Sequence, residues 1–391
     1  MYERAILHLD LDAFFVSVEC LTDSSLVGKP LIIGGTSNRG VVSSCSYEAR
    51  RYGVRSAMPI KMALRLCPDA IVRRGDMETY SRYSQLVTEI IAEDAPVYEK
   101  ASIDEFYLDL SGMDRYFGCF KWSMELRDNI IQHTGLPISF GLSINKLVSK
   151  VGTNESKPNG TKRIPSGTEK AFLAPLSTSK LPSVGKSTYR KLSFMGIRTV
   201  KVLSELPVEL LQREFGKPGI SLWKKANAID HSPVVPYDEQ KSMSSEMTFQ
   251  SDTIDVRWMR DQLSKMVSKL AFDLRQRPKL CSCITVKIRY SDFNTFTKQK
   301  RIPYTANDQI LIELAHELFD ALYERRQLIR LIGVRLSGLV HGNFQLNLFD
   351  TSVEEINLLK QLDRIRNRFG ANAIMRASSL GLSRSHETVK I

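Results

Sequence analysis

Hydrophobic positions along this chain recur with two different periods. In the first 165 residues, short β-rich runs ("RAILHLD", "KPLIIGG", "GVVSSCS") are interleaved with helical segments. "YEARRYG" and "MPIKMALRLCP" read as helices, the second ended by Pro68, and a longer one is predicted from about Met77 to Glu93. "PVYEKASIDEFYLDLSG" reads as two strands around a tight turn at Ile103–Glu105. Another helix, the strand "PISFGLSI" and a helix from about Asn145 complete an α/β sandwich pattern. Residues 167–233 are helical with short connections, and "DHSPVVPYDEQKSMSSE" reads as an exposed linker.

A second α/β unit spans about 243–340. In "CITVKIRYS", Ile284, Val286, Ile288 and Tyr290 share one face, and Thr285, Lys287 and Arg289 the other. "TFTKQKRI" repeats the theme with Lys298 and Lys300, which predicts a basic-faced hairpin over an apolar back. The tail carries a helix of its own. Ser352 and Glu355 form a capping box, Val353, Ile356, Leu359, Leu362 and Ile365 recur at helical spacing, and Gly370 stops the run.

A chain of 391 residues exceeds one ordinary core, so about two to four domains are expected. The balance of 55 Lys and Arg against 43 Asp and Glu, a net charge of +12, favours a polyanionic partner, most simply nucleic acid. The six cysteines, at 20, 45, 67, 119, 281 and 283, have no zinc or redox spacing and read as reduced thiols. The scattered histidines suggest no metal ligand. Glu3 and Asp10 in the first apolar segment argue against a signal peptide, and no apolar run reaches the roughly 18 residues that cross a bilayer.

The carboxylates bring chemistry into this frame. Asp10 and Asp12 share a strand face if the strand runs through both, and "SIDE" adds Asp104 and Glu105 at a turn between strands. A lone Asp-x-Asp is more often a strand end. Two acidic clusters in apolar β-rich runs fit a two-metal phosphoryl-transfer site, because hard divalent cations take oxygen ligands from a few carboxylates and substrate phosphates. Asp12, just before a helix starting at Ala13, is placed to cap it. Ser44, Tyr47 and Arg50 stand at i, i+3 and i+6, spacing that also describes an ordinary surface helix. Phe14 and Phe15 would face about 100° apart on a helix, so one can pack inward while the other faces a site.

"HLDLDAFFVSVE", "VVSSCSYEARRYGVRSAMP", "ASIDEFYLDLSG" and "SKPNG", in this order over the first 160 or so residues, resemble the signature segments of Y-family translesion DNA polymerases. The layout is nearest that of the bacterial members, with weaker similarity to about residue 350. The resemblance implies a multidomain α/β and α+β fold of the right-hand-like type. Its parts would be a palm with inserted small fingers over 1–166 (fingers about 20–76), a helix-hairpin-helix thumb over 167–233, a linker over 234–242, an α/β little finger over 243–342, and a peptide and helical tail over 343–391.

It also implies roles. Asp10, Asp104 and Glu105, with the main-chain carbonyl of Leu11, would hold two Mg²⁺ ions, Glu105 lying nearest the primer 3′-hydroxyl. Ser44, Tyr47, Arg50 and Lys157 would hold the incoming dNTP. Phe14 is counted with them, although the helical reading sends it to the core. Phe15 matches the sugar-discrimination position, where an aromatic ring clashes with a ribose 2′-hydroxyl. "PSVGKSTYRKL" resembles the thumb's helix-hairpin-helix, so Gly185 and Lys186 would meet a DNA phosphate, and Lys287, Arg289, Lys298 and Lys300 would grip the DNA backbone. "QLNLF" resembles a sliding-clamp peptide, with Gln345, Leu346, Leu348 and Phe349 docking on the clamp's β subunit. The implied protein is a cytoplasmic, nucleoid-associated monomer that acts on primer-template DNA without a membrane or a proofreading domain. A nucleotidyl cyclase would need neither thumb, basic second unit nor clamp peptide, and a non-catalytic scaffold would not need an intact acidic set.

Overall fold

In a computed structural model, residues 4–342 are described apart from 36, 38, 114–117, 237 and 238, together with 352–370, 373 and 374. The chain divides into two compact units, Met1–Asp238 and Glu239–Ile391.

The first unit opens with β1 (Ile6–Leu11) and α1 (Phe14–Thr22). A small excursion follows: β2 (Leu31–Gly34), β3 (Val42–Cys45), α2 (Tyr47–Arg51), α3 (Ile60–Leu66) and β4 (Ile71–Arg73). These strands form a three-stranded sheet, β3-β2-β4, over a core of Ile32, Val42, Ala49, Val54 and Ala63. The chain then returns through α4 (Met77–Asp94), β5 (Tyr98–Lys100), β6 (Glu105–Asp109), α5 (Cys119–Thr134), β7 (Ile138–Ser143), α6 (Lys146–Ser156) and β8 (Thr161–Arg163).

The main sheet has the order β5-β6-β1-β7-β8. β1 lies at its centre and all six of its residues are buried: Leu7, Leu9 and Leu11 fill the core on one face, and they alternate with His8 and Asp10, which are buried polar groups on the other. Helix α6 lies directly on β1 and β7. Gly141 makes this approach possible, because a Cβ there would sit 2.2 Å from the Ser149 carbonyl oxygen. The hydroxyls of Ser149 and Thr153 donate to the carbonyls of Ile6 (2.7 Å) and His8 (3.0 Å), locking the helix to the central strand.

Five helices complete this unit: α7 (Glu169–Leu173), α8 (Lys186–Phe194), α9 (Val200–Glu205), α10 (Val208–Phe215) and α11 (Lys217–Ala226). Helices α8 and α9 flank Gly196, whose φ of +80° turns the chain between them. Their core of Leu173, Leu192, Val200, Leu203 and Leu211 is continuous with Val148 and Val151 of α6.

The second unit contains β9 (Ser242–Thr253), α12 (Val256–Gln276), β10 (Lys279–Tyr290), β11 (Thr295–Thr305), α13 (Asp308–Asp320), β12 (Ile329–Ser337), β13 (Val340–His341) and α14 (Ser352–Phe369). Its sheet runs β11-β10-β12-β9 and packs on α12 and α13 through Ile284, Val286, Ile288 and Tyr290, the alternation read from the sequence.

The expected single basic face of the β10–β11 hairpin needs correction. Lys298 pairs across from Val286 and Lys300 from Ile284, so both lie on the side of the helices, where Lys300 meets Glu317 of α13 at 2.9 Å. Lys287 and Arg289 pair with Thr297 and Thr295 on the open face. Arg301, opposite Cys283, and Arg335, opposite Thr285, share that face and were not singled out from the sequence.

The tail helix α14 does not present only its apolar stripe inward: Leu359 is buried, but Ile365 is exposed and Asp363 is buried. The cause is Arg275 of α12. It donates two hydrogen bonds to Asp363 (2.6 and 2.9 Å), one to the Ala306 carbonyl (2.7 Å) and one to Asp308. Arg366 adds a second cation, 3.8 Å from Asp308 and 3.9 Å from Asp363. Removing one partner from such a cluster leaves buried charge uncompensated. Arg275→Ala should therefore destabilise this unit by about 3–5 kcal/mol. A clear fall in its urea midpoint is the expected reading, and an unchanged midpoint would show the cluster to be energetically idle. The expected capping box rests on Ser352 and Glu355, whose side chains lie outside the description, as do Gln345–Phe349.

Candidate active site

Antiparallel pairing of β1 with β6 sets Asp10 directly opposite Glu105, the first residue of β6. Asp104 precedes it in the turn, and its carbonyl accepts the Leu11 N–H at 3.0 Å. The turn holds its shape through the Ser102 hydroxyl, which donates to the Asp104 carboxylate at 2.5 Å and accepts the Glu105 N–H at 3.0 Å. Three carboxylates separated by nearly a hundred residues thus meet at one end of the sheet.

Their charges are balanced by α6. Lys157, just after the helix, pairs with Asp10, and Lys150 pairs with Glu105. Asp10 is 5% exposed. Burial outweighs the Lys157 ammonium and pushes the carboxyl up to about 7, with Glu105 and Asp104 adding to the rise. Glu105 is held down to about 2, first by the His8 ring and then by Lys150, against burial.

His8 is fully buried under this site. Its Nδ1 lies 2.9 Å from the Thr153 hydroxyl, and its Nε2 has no hydrogen-bond partner and points toward Glu105 at 3.8 Å. Burial holds the ring below the usual imidazole range, and the facing Glu105 carboxylate works against that shift. Neither His8 nor Lys150 was singled out from the sequence. The repeat of "SK" seven residues apart in "SKVGTNESK" was an available signal for Lys150, since two helical turns return to the same face.

Asp12 does not cap α1. The capping position is Ala13, in the left-handed conformation (φ 44°, ψ 43°), and no side chain caps the helix. The Asp12 carboxylate instead accepts hydrogen bonds from the hydroxyls of Tyr47 (3.2 Å) and Ser139 (2.6 Å) and from the Asn159 N–H (2.7 Å). Tyr47 opens α2, capped by Ser46, and the Arg50 guanidinium lies over its ring at 4.5 Å. Burial beside Asp12 pushes the Tyr47 phenol up. Ser44 lies on β3 opposite Ile33, half-buried.

Phe14 packs into the main core at 3% exposure, so its expected place among the dNTP contacts is corrected: the first turn of α1 aims it inward. Phe15 is half-buried and stacks on Tyr80 with centroids 4.4 Å apart and planes at 12°. Tyr80 is fully buried, and its hydroxyl donates to Glu19 at 2.5 Å. Gly185 precedes α8 with open space around it, and Lys186 is exposed at the helix start.

Carboxylate oxygens suit a hard divalent cation. As the side chains stand, Asp10 and Glu105 each turn to a lysine, and among the described residues no three His, Cys, Asp or Glu side chains gather as one ligand group. The donor chemistry nevertheless fits, because one ammonium does not compensate the burial of Asp10 and the strand end remains short of positive charge.

A right-hand-like polymerase fold accounts for both the sheet and its acidic end. Over 87% of this chain and 100% of the other, it matches a Y-family DNA polymerase chimera of Dbh and Dpo4, with a TM-score of 0.78 and 26% identity. An insertion ternary complex of Dbh DNA polymerase matches over the same shares with a TM-score of 0.63. Family models of the impB/mucB/samB family match residues 9–154, of that family's C-terminal domain residues 240–348, and of a DNA polymerase-iota thumb domain residues 179–230. DNA polymerase IV of Dehalococcoides mccartyi (strain CBDB1) is 36% identical over 375 residues, 95% of this chain and 96% of that one. DNA polymerase IV of Streptococcus pyogenes serotype M1 is 37% identical over 344 residues, 86% of this chain and 94% of its own. The chain belongs to the DNA polymerase IV family of Y-family polymerases.

Proposed function

We propose that this protein is a template-directed, low-fidelity DNA polymerase that copies past damaged bases. The observation that carries the reading is the register of Asp10 against Glu105, with Asp104 at the same strand end, in a chain aligned almost end to end with DNA polymerase IV relatives. The primer 3′-hydroxyl attacks the α-phosphate of a dNTP and pyrophosphate leaves. The palm spans 1–166 with fingers at about 20–76, the thumb 167–233, and the little finger 243–342.

Asp10, Asp104, Glu105 and the Leu11 carbonyl would hold the divalent cations, read as two Mg²⁺, which would supply neutralisation of the phosphate charge. His8 and Lys150 keep Glu105 ionised in readiness. Lys157 exchanges Asp10 for the triphosphate, and Arg50, braced on the Tyr47 ring, adds a fork of donors beside Ser44. Phe15 closes the sugar side. Gly185 and Lys186 meet a DNA phosphate. No helix among the described residues is long and apolar enough to cross a membrane.

Primer extension on undamaged and lesion-bearing templates tests the reading. Mg²⁺-dependent extension on both is expected, and a purified, folded protein that extends neither would end it. The corrected hairpin gives a second expectation. Arg301→Ala with Arg335→Ala should make the slope of log affinity for DNA against log salt shallower, by about 0.9 for each phosphate no longer neutralised. Lys298→Ala with Lys300→Ala should change it less. The reverse order would return DNA to the helix side of the sheet.

A further inference from the structure

We infer that Asp12 is a positioning residue that couples the two halves of the triphosphate site, aligning Tyr47 of the fingers with the Lys157–Asn159 loop of the palm. The inference rests on the polymerase reading above and deepens it.

Asp12 is 1% exposed, and its three side-chain hydrogen bonds go to three separate pieces of the fold. One oxygen accepts from Tyr47 at the start of α2 (3.2 Å). The other accepts from Ser139 of β7 (2.6 Å) and from the backbone N–H of Asn159 (2.7 Å), two residues beyond Lys157. The main chain is equally fixed. The Asp12 N–H donates to the Pro137 carbonyl at 2.9 Å, and its own carbonyl accepts the Ser17 hydroxyl at 2.7 Å. Left-handed Ala13 turns the chain immediately after it, so the carboxylate enters the seam between palm and fingers instead of the first turn of α1.

The Asn159 loop is gripped from its other side by Arg127, which donates to the Asn159 side-chain oxygen (2.6 Å) and carbonyl (3.2 Å) and to the Ile138 carbonyl (3.0 Å). With that loop fixed to the palm, Asp12 is the point through which the Tyr47 phenol is registered against Lys157. Its direct side-chain partners are all neutral donors, and with both oxygens engaged the carboxylate has a positioning task distinct from that of Asp10, two residues away.

A merely structural Asp12 and a coupling Asp12 make different kinetic predictions. Ser139→Ala removes one anchor without touching nucleotide. It should raise KM for dNTP by about five- to tenfold, with kcat within about threefold and DNA affinity unchanged. Asp12→Asn, whose N–H₂ must either oppose the Asn159 N–H or reverse the bond to Tyr47, and which loses the carboxylate's charge, should raise KM further, by about tenfold or more. Added to Tyr47→Phe, Asp12→Asn should cost less than the product of the two single effects, because both act through one hydrogen bond. The preference for dNTP over rNTP should not move, since Phe15 is held separately by Tyr80.

Single-nucleotide insertion by the full chain, with Mg²⁺ and primer-template DNA, reads all of these, and thermal melting confirms the fold of each variant. Unchanged KM in folded Ser139→Ala and Asp12→Asn would overturn the inference. So would strictly multiplicative effects of Asp12→Asn and Tyr47→Phe, or a loss of melting temperature with no change in KM. If Asp12→Asn does not fold, KM of Ser139→Ala decides alone. Failure of the polymerase reading is seen separately, as a wild-type protein that does not extend primers.

Discussion

Asp104→Ala combined with Glu105→Ala should lower Mg²⁺-dependent primer extension by at least about a thousandfold while DNA binding stays within a few-fold of wild type. Asp104 and Glu105 stand at one sheet end, opposite and beside Asp10, whereas the carboxylate of Asp12 is taken up by Tyr47, Ser139 and Asn159. The basic surfaces proposed to hold DNA lie elsewhere, so affinity and catalysis should separate. Glu105 is half-buried at the sheet end and its ion-pair partner Lys150 is itself partly exposed, so the fold should survive. Glu105→Gln is the milder control. It keeps the shape and removes the charge that His8 and Lys150 hold in place. A double variant that extends primers at the wild-type rate would dismiss these two carboxylates from the reaction.

Phe15→Ala should raise ribonucleotide incorporation by about two orders of magnitude relative to dNTP, read as the ratio of kcat/KM values on one template. The expectation follows from rigidity as much as from bulk. An apolar wall rejects an added hydroxyl poorly unless it cannot move. Phe15 is stacked flat on Tyr80, and Tyr80 is itself buried and tied to Glu19. Tyr80→Leu should therefore weaken discrimination in the same direction and by less, although it leaves Phe15 in place. If Phe15→Ala keeps the wild-type sugar preference, another residue provides the gate.

Much of the fold was legible because local patterns and tertiary structure agreed. The central strand announced itself as an apolar run, α4 as a long helix and "ASIDEF" as a turn leading into a strand. The features that were not legible depend on pairing over long distances. Lys298 and Lys300 alternate correctly with Thr297 and Gln299, but the face they take is set by the register across Ser291–Asn294, where Phe293 adopts φ 68° and Asp292 accepts the Asn294 N–H at 2.9 Å. Strand alternation carries no information about that register. Asp12 looked like a cap because capping is a local interaction, whereas its partners Ser139 and Asn159 lie about 130 and 150 residues away. The stripe correctly marked Ser352–Phe369 as a helix, but the burial of Asp363 was not legible, because its partner Arg275 lies 88 residues upstream.

The placement of Asp10 in the central strand has a consequence for how the enzyme fails. A slip of β1 by one residue against β6 would turn Asp10 to the opposite face, into the apolar core that Leu7, Leu9 and Leu11 fill, and bring Leu9 or Leu11 to the site. Partial states of that kind are therefore strongly disfavoured, and the acidic end belongs to the same cooperative unit as the sheet. On heating, cation binding should vanish together with the protection of the β1 amides from hydrogen exchange, in a single transition. On the proposed reading, the reaction centre is therefore lost all at once.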